Sequence, residues 1–314
     1  MLEKDFYVEQ IKKLKKEKNA VILAHNYERP EIQDVADLVG DSLGLSQEAS
    51  KTDASIIVFC GVHFMAETAK IISPNKKVLL PDVDAGCSLA DSITIEQLRI
   101  WKKENPNAVV VSYVNTTAEI KSESDYCCTS SNAVEVVRAI PTNKDILFLP
   151  DRYLGNYAAA VTRREINVWN GSCHVHEKIG DINLNYAKRK YPNAEILVHP
   201  ECSCSSSCIH KSALFKDCKN TKIFSTSGMV NYVKKSDASE FIIATETGII
   251  HQLKKVAPEK KYRPVSKDSI CEYMKLTTLE KLYNSLQKEV FEVVVPETIA
   301  KKAIIPIKRM LEIC

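Results

Sequence analysis

Nowhere does the sequence contain the roughly 18 consecutive apolar residues that a membrane-crossing helix needs. Its opening, MLEKDFYVEQIKKLKKEKN, is charged and lacks the apolar core of a secretory leader. An excess of one charge sign is missing too. A formal net charge of +3 is too small to mark a nucleic-acid partner. The basic cluster of Lys12, Lys13, Lys15, Lys16 and Lys18 reads as a solvated helix face. Neither the contiguous cysteine spacing of ferredoxins nor that of zinc fingers occurs, and no CxxC lies near the C-terminus. These absences lead us to expect a cytoplasmic chain with no membrane and no nucleic acid among its partners.

Cysteine, by contrast, is plentiful, with 11 residues in 314. Disulfides are rare in the cytoplasm, so this richness points to metal or redox chemistry, and an odd count argues against a disulfide framework. Apolar content of 45% with 26% charge is ordinary for a globular enzyme.

The chain repeats itself. NAVILAHNY from Asn19, NAVVVSYVN from Asn107 and NAEILVHPE from Asn193 recur with a period of about 90 residues. Each run is short, apolar and β-branched, so each reads as a buried parallel strand. Each follows a lysine-rich helical segment. Further along, GVHFMAETAKII, TSSNAVEVVRAI and STSGMVNYVKK align as helices, and KKVLLPD, KDILFLPD and EFIIATE as the strands after them. Alternation of strand and helix predicts an α/β fold of three homologous three-layer α/β/α modules with parallel sheets. Right-handed crossovers place the loops that follow the strands on one edge. The expected divisions are 1–100, completed by 276–314, then 101–190 and 191–275. The final segment reads as helix TTLEKLYNSLQKE, strand VFEVVVP and helix AKKAIIPIKRMLEI.

Ligands of open α/β sheets bind outside the carboxyl ends of the strands. At those ends the repeats carry His25 and Tyr27, Tyr113 and Asn115, and His199 and Glu201. Polar groups recurring where apolar ones would be cheaper predict one shared central site. Helix openings add Ser130, Ser131, Thr226 and Ser227, with Ser42 in GDS. Free N–H groups at helix starts suit an anion, although plain capping would also use Ser and Thr. Each module carries one cysteine in a late loop: Cys87, Cys173 and Cys271. Three modules about a common axis would bring these thiols together, where sulfur suits an iron–sulfur cluster, zinc or copper(I). Buried, inert cysteines are the competing reading. By local density HPECSCSSSCIH is the louder signal, with Cys202, Cys204, Cys208 and His210, followed by Cys218. Cys127 and Cys128 are a possible redox pair; Cys60 and Cys314 carry no separate signal.

The ordered motifs AHNY, GDSL, AGCSLAD, SYVNTTAEIKSESD, CTSSNA, WNGSC with VHE, HPEC, STSGM and DSICEYM resemble the quinolinate synthase family. The resemblance runs from residue 24 to about 274 and implies a pseudo-threefold arrangement with the active site at the central junction. It implies condensation of iminoaspartate with dihydroxyacetone phosphate to quinolinate, a precursor of NAD, with release of phosphate and water. It implies a [4Fe-4S] cluster held by Cys87, Cys173 and Cys271, its open iron serving as a Lewis acid. It places substrate contacts on His25, Ser42, Tyr113, Asn115, Ser130, His199, Glu201 and Thr226, and proton transfer on Tyr27, His199 and Glu201. His176 would line the cavity. L-Aspartate oxidase or aspartate dehydrogenase would supply the iminoaspartate. Cys204, Cys208, His210 and Cys218 sit in a stretch between Glu201 and Ser225 that is longer than the family pattern, so no role carries over to them. Two other readings remain: a different cluster-dependent hydro-lyase, and a non-catalytic metal-binding or redox-sensing protein.

Overall fold

The computed structural model describes residues 3–206, 208 and 220–313. The first unit runs α1 (Glu3–Glu17), β1 (Ala20–His25), α2 (Pro30–Val35), β2 (Leu38–Gly40), α3 (Ser42–Lys51), β3 (Ile56–Cys60), α4 (His63–Ile72) and β4 (Lys77–Leu79). The second runs α5 (Ile95–Glu104), β5 (Val109–Tyr113), α6 (Ala118–Ser122), β6 (Tyr126–Cys128), α7 (Ala133–Ala139), β7 (Ile146–Leu149), α8 (Arg152–Thr162), β8 (Asn167–Val168) and α9 (His174–Glu177). The third comprises α10 (Asp181–Lys190), β9 (Glu195–Val198), β10 (Thr221–Ile223), α11 (Thr226–Lys235), β11 (Glu240–Ala244), α12 (Ile249–Val256) and β12 (Lys261–Pro264). Two helices follow, α13 (Leu279–Lys288) and α14 (Glu297–Glu312).

Each unit contains a four-stranded parallel sheet, and the order is the same every time: β2-β1-β3-β4, β6-β5-β7-β8 and β10-β9-β11-β12. This is the triplicated α/β/α architecture the repeats predict, arranged about a pseudo-threefold axis. β1, β5 and β9 each lie second in their sheet, so their ends are equivalent.

Side-chain alternation explains the layers. In the first sheet Ile22, Ala24, Val58 and Cys60 face outward onto Ile11 of α1 and Leu282 and Leu286 of α13. Leu23, Ile57, Phe59 and Val78 point the other way. They join Val111 and Phe148 of the second unit and Leu197, Phe241 and Ile243 of the third in one central cluster. The inner faces of the three units thus share a core, and the strand ends open beside it.

Two expectations are corrected. GVHFMAETAKII follows β3, so its counterparts are α8 and α12; the element equivalent to α7 and α11 is α3, which opens at Ser42. The apolar similarity of successive βα units hid a slip of one unit. VFEVVVP forms no strand: it makes a single antiparallel bridge, Leu79 to Glu292, flanked by hydrogen bonds from Leu80 N to Phe291 O and from Val293 N to Val78 O. Val293 packs into the central cluster with Val295 against it, while Phe291 and Val294 remain exposed. α14 instead docks on α6, β6 and α4. There Asn132 Nδ2 donates to Met310 O at 3.0 Å and Ile313 O at 2.7 Å, capping its last turn.

Glu289 ties both ends of the chain to the first sheet. Its carboxylate accepts from Lys18 Nζ at 2.6 Å and Lys77 Nζ at 2.5 Å. The hydrogen bond from Lys18, then that from Lys77, pulls its pKa down to about 2. A carboxyl depressed on folding stabilises the native state above its unfolded pKa, and the contribution is lost as pH falls through the folded value. Glu289→Gln is therefore expected to unfold more readily at pH 7, by about 1 kcal/mol or less because the group is partly exposed. That difference should shrink on acidification from pH 4.5 toward 2; urea titrations across this range check it. No described helix is long and apolar enough to cross a membrane.

Candidate active site

The ends of β1, β5 and β9 deliver their polar pairs to a single cavity of about 700 Å³, counted to its open mouth. That is the size of a small-molecule site. His25, Tyr27, Tyr113, Asn115, His199 and Glu201 line it, as do Ser42, Ser130 and Thr226. Cys87, Cys173 and Cys271, which follow the fourth strand of each sheet, reach it from the loops. His176 joins them. Ser131 and Ser227 stand behind the lining.

Three helix starts meet here. Asp41 caps α3 by accepting from Gly44 N at 2.9 Å, and Ser225 caps α11 by accepting from Gly228 N at 3.2 Å. Ser131, just ahead of α7, lies with its Oγ 2.6 Å from Asp41 Oδ2 and 2.8 Å from Ser225 Oγ. One node thus joins all three units. Thr226 Oγ1 accepts from Asn26 Nδ2 at 2.9 Å, a further tie between the third unit and the first. Among the described lining residues there is no lysine or arginine. Positive potential must come from helix N-termini and neutral donors.

Burial sets the protonation states. His25 is pushed down to about 4 and His176 to about 3, chiefly by desolvation, and His199 lies well below the usual imidazole range for the same cause. All three are neutral near pH 7. Tyr27 and Tyr113 are raised by burial, then by Glu201, and remain phenols. Glu201 is raised to about 7 by burial, opposed by the hydrogen bond that Tyr113 Oη donates to its Oε1. A carboxyl poised there can both take and give a proton near neutrality. His199 Nδ1 lies 3.5 Å from Glu201 Oε1 without a hydrogen bond, while its Nε2 sits 3.2 Å from Ser130 Oγ. Tyr27 Oη lies 2.5 Å from Thr245 Oγ1, and its ring meets His25 edge-on at 4.6 Å. Asn115 Oδ1 and His199 Nδ1 are buried without hydrogen-bond partners, which leaves an acceptor and a ring nitrogen for a ligand.

The expected cofactor, a [4Fe-4S] cluster on three cysteines, is corrected by the donor geometry. Among the described residues, the group whose ligand atoms lie within 4.8 Å of one another is Cys173, His176 and Glu201. His176 is three residues past Cys173 on the short helix α9, so both face the same side, and Glu201 arrives from the end of β9. Cys87 and Cys271 open on the same cavity but fall outside this group. One thiol, one imidazole and one carboxylate fit a transition-metal ion. The denser cysteine stretch behaves differently. Cys202, Cys204 and Cys208 are buried in an apolar cluster with Ile179, Leu184 and Ile242. Cys202 Sγ lies 3.1 Å from His176 Nδ1. His210, Cys218 and Cys314 lie outside the described residues. Cys127 and Cys128 are buried in β6, and Cys60 in β3.

Sequence reasoning missed Glu246, His174, Ser88 and Tyr273, all of which line the cavity. A signal for Glu246 existed: KDILFLPD and EFIIATE both end in an acid just past the strand, at Asp151 and Glu246. Both are fully buried. Asp151 caps α8, whereas Glu246 faces the cavity.

Comparison with known proteins agrees with this geometry. The family model described as quinolinate synthetase A protein matches residues 9–312. A quinolinate synthase of Pyrobaculum aerophilum is 55% identical over 304 residues, covering 97% of this chain and 98% of the relative. One of Thermus thermophilus is 52% identical over 295 residues, covering 94% and 93%. A third, of Synechocystis, is 51% identical over 306 residues, covering 96% and 93%.

Proposed function

The chain belongs to the quinolinate synthetase A family, and on that premise we propose that it condenses iminoaspartate with dihydroxyacetone phosphate to quinolinate, releasing phosphate and two waters, in the synthesis of NAD. The observation that carries this reading is a cavity that offers three helix starts and neutral donors, with no lysine or arginine among its described lining residues. Such a site holds carboxylates and a phosphate through N–H and O–H groups without trapping the product in a strong ion pair. Ser42 and Thr226 at the first residues of α3 and α11, and Ser130 in the turn ahead of α7, are the anion contacts. His25, Tyr113 and Asn115 orient the carbon skeleton.

Joining the two substrates requires proton transfer on carbon and departure of hydroxyl groups as water. Glu201 is the base and acid of choice, because its carboxyl is held near neutrality. Tyr113 Oη donates to it, which orients the carboxylate and stabilises its ionised form. His199, neutral, beside Glu201 and bonded toward Ser130, can relay a proton, and Tyr27, a phenol held by Thr245, can donate one. A metal ion held by Cys173, His176 and Glu201 would supply Lewis-acid polarisation of a substrate oxygen. Iminoaspartate hydrolyses readily, so an enzyme that oxidises aspartate, an oxidase or a dehydrogenase, is the natural supplier.

The test is an air-free assay, since three thiols face the cavity. The two substrates together should yield quinolinate and phosphate in equal amounts, and neither substrate alone should yield either. Turnover of a hydroxy acid with no need for dihydroxyacetone phosphate would favour a hydro-lyase instead.

A further inference from the structure

Behind Tyr27 lies a charge pair that the reaction scheme leaves unused. Glu246 is fully buried and sits just past β11, beside Thr245. Its Oε2 accepts from Gly248 N at 2.6 Å, and its Oε1 accepts from Cys271 N at 3.3 Å. Lys275 Nζ lies 3.0 Å from Glu246 Oε1 and also donates to the backbone carbonyl of Tyr27. The lysine's own carbonyl accepts from Arg29 Nε at 2.7 Å. The loops after β1, β11 and β12 are therefore tied to one carboxylate–ammonium pair. Tyr27 is held at both ends: its hydroxyl by Thr245 and its carbonyl by Lys275.

Gly248 shows that this space is reserved. Its backbone is ordinary right-handed helix, φ −59 and ψ −29, so no conformational need selects glycine. A Cβ there would stand 2.8 Å from each of Glu246 Oε2, Lys275 Nζ and Tyr27 O. These are the three groups of the clamp. Burial raises the pKa of Glu246, and the Lys275 ammonium is the largest opposing influence. A buried carboxylate beside one cation is costly to maintain unless its geometry serves something.

We infer that Lys275 and Glu246 form a positioning clamp for Tyr27, setting where its phenol meets the substrate. Neither is a catalytic residue in this role; both act through Tyr27. The inference rests on the reading of Tyr27 as a proton-transfer group, and the experiment separates the two. Steady-state kcat and KM are measured for the whole chain as parent, Tyr27→Phe, Lys275→Met and the double variant Tyr27→Phe/Lys275→Met. Misplacement of a reacting group by about 1 Å costs on the order of 10²-fold. Lys275→Met is thus expected to lower kcat by about 10²-fold while KM for either substrate moves less than about threefold. In the Tyr27→Phe background the same change should add almost nothing, which a merely structural lysine would not produce.

Lys275→Met strips Glu246 of its cation, so two further variants guard against a folding defect. Lys275→Met/Glu246→Gln removes both charges, and Gly248→Ala keeps both but crowds the clamp. Each should show the same loss of kcat and the same silence beside Tyr27→Phe. A slow Tyr27→Phe enzyme beside normal kcat in the clamp variants, or losses that multiply with Tyr27→Phe, would overturn the clamp alone. Normal kcat in Tyr27→Phe would overturn the role of Tyr27 and the clamp with it.

Discussion

Replacing Glu201 by glutamine is expected to lower quinolinate turnover by about 10³-fold while the protein stays folded. Glutamine keeps the shape of the side chain, and its carbonyl oxygen can still accept from Tyr113 Oη. What it cannot do is carry a proton. The effect on stability has the opposite sign to the effect on rate. Glu201 has a folded pKa of about 7, raised above the ordinary 4.5 by burial. A carboxyl raised on folding favours the native state fully below its unfolded pKa, and that benefit is lost as pH rises through the folded value. In metal-free protein at pH 8 the glutamine variant, freed of a buried charge, should be at least as stable as the parent. Loss of rate with neither stability nor bound metal lost is thus the signature of a proton-transfer role. Bound metal is counted in the same samples, because Glu201 also belongs to the donor group. Near-normal turnover would remove Glu201 from the mechanism.

Cys173→Ala carries the second large effect. Cys173 is the thiol within the compact donor group, and its own pKa is raised well above the usual range by burial, then by Glu201 and Cys87. A metal ion bound there would reverse that preference by pairing with the thiolate. Removing the sulfur leaves an imidazole and a carboxylate, too few donors for tight binding. Metal per chain is expected to fall to near zero and quinolinate formation by more than about 10³-fold. Cys204→Ala serves as the control, since that thiol lies in the apolar cluster around Ile179 and Leu184 and does not line the cavity. Elemental analysis of both variants, prepared without air, decides the matter. Full metal content in Cys173→Ala would contradict the donor assignment.

Much of the molecule was legible because the chain repeats. Asn19, Asn107 and Asn193 each stand one or two residues ahead of a strand whose apolar run survives in the structure as β1, β5 or β9. The polar pairs at their ends then mark one cavity, since equivalent strand ends converge on a threefold axis. The βα units were harder. GVHFMAETAKII resembles TSSNAVEVVRAI in pattern, yet it belongs one unit further on, because amphipathic helices that pack on parallel sheets share one periodicity. GDSL was the true counterpart, and its short strand β2 has too few residues to show a pattern. VFEVVVP alternates like a strand but meets the sheet at a single bridge, because the edge it approaches, β4, is only three residues long. The donor group was the least legible. One thiol per repeat suggested a purely sulfur site, whereas His176 and Glu201 join Cys173 through the turn of α9 and the end of β9. Glu246 and Lys275 escaped notice for a different reason: their partnership spans loops after two different strands and depends on the missing side chain of Gly248.

The central claim is that one cavity joins these two substrates into a pyridine ring. Dihydroxyacetone phosphate labelled with ¹³C at all three carbons, given with unlabelled iminoaspartate to the air-free enzyme, tests it most directly. The account predicts quinolinate carrying three labelled ring carbons, with phosphate released in equal amount. Quinolinate without label, or phosphate released with no labelled ring, would contradict it.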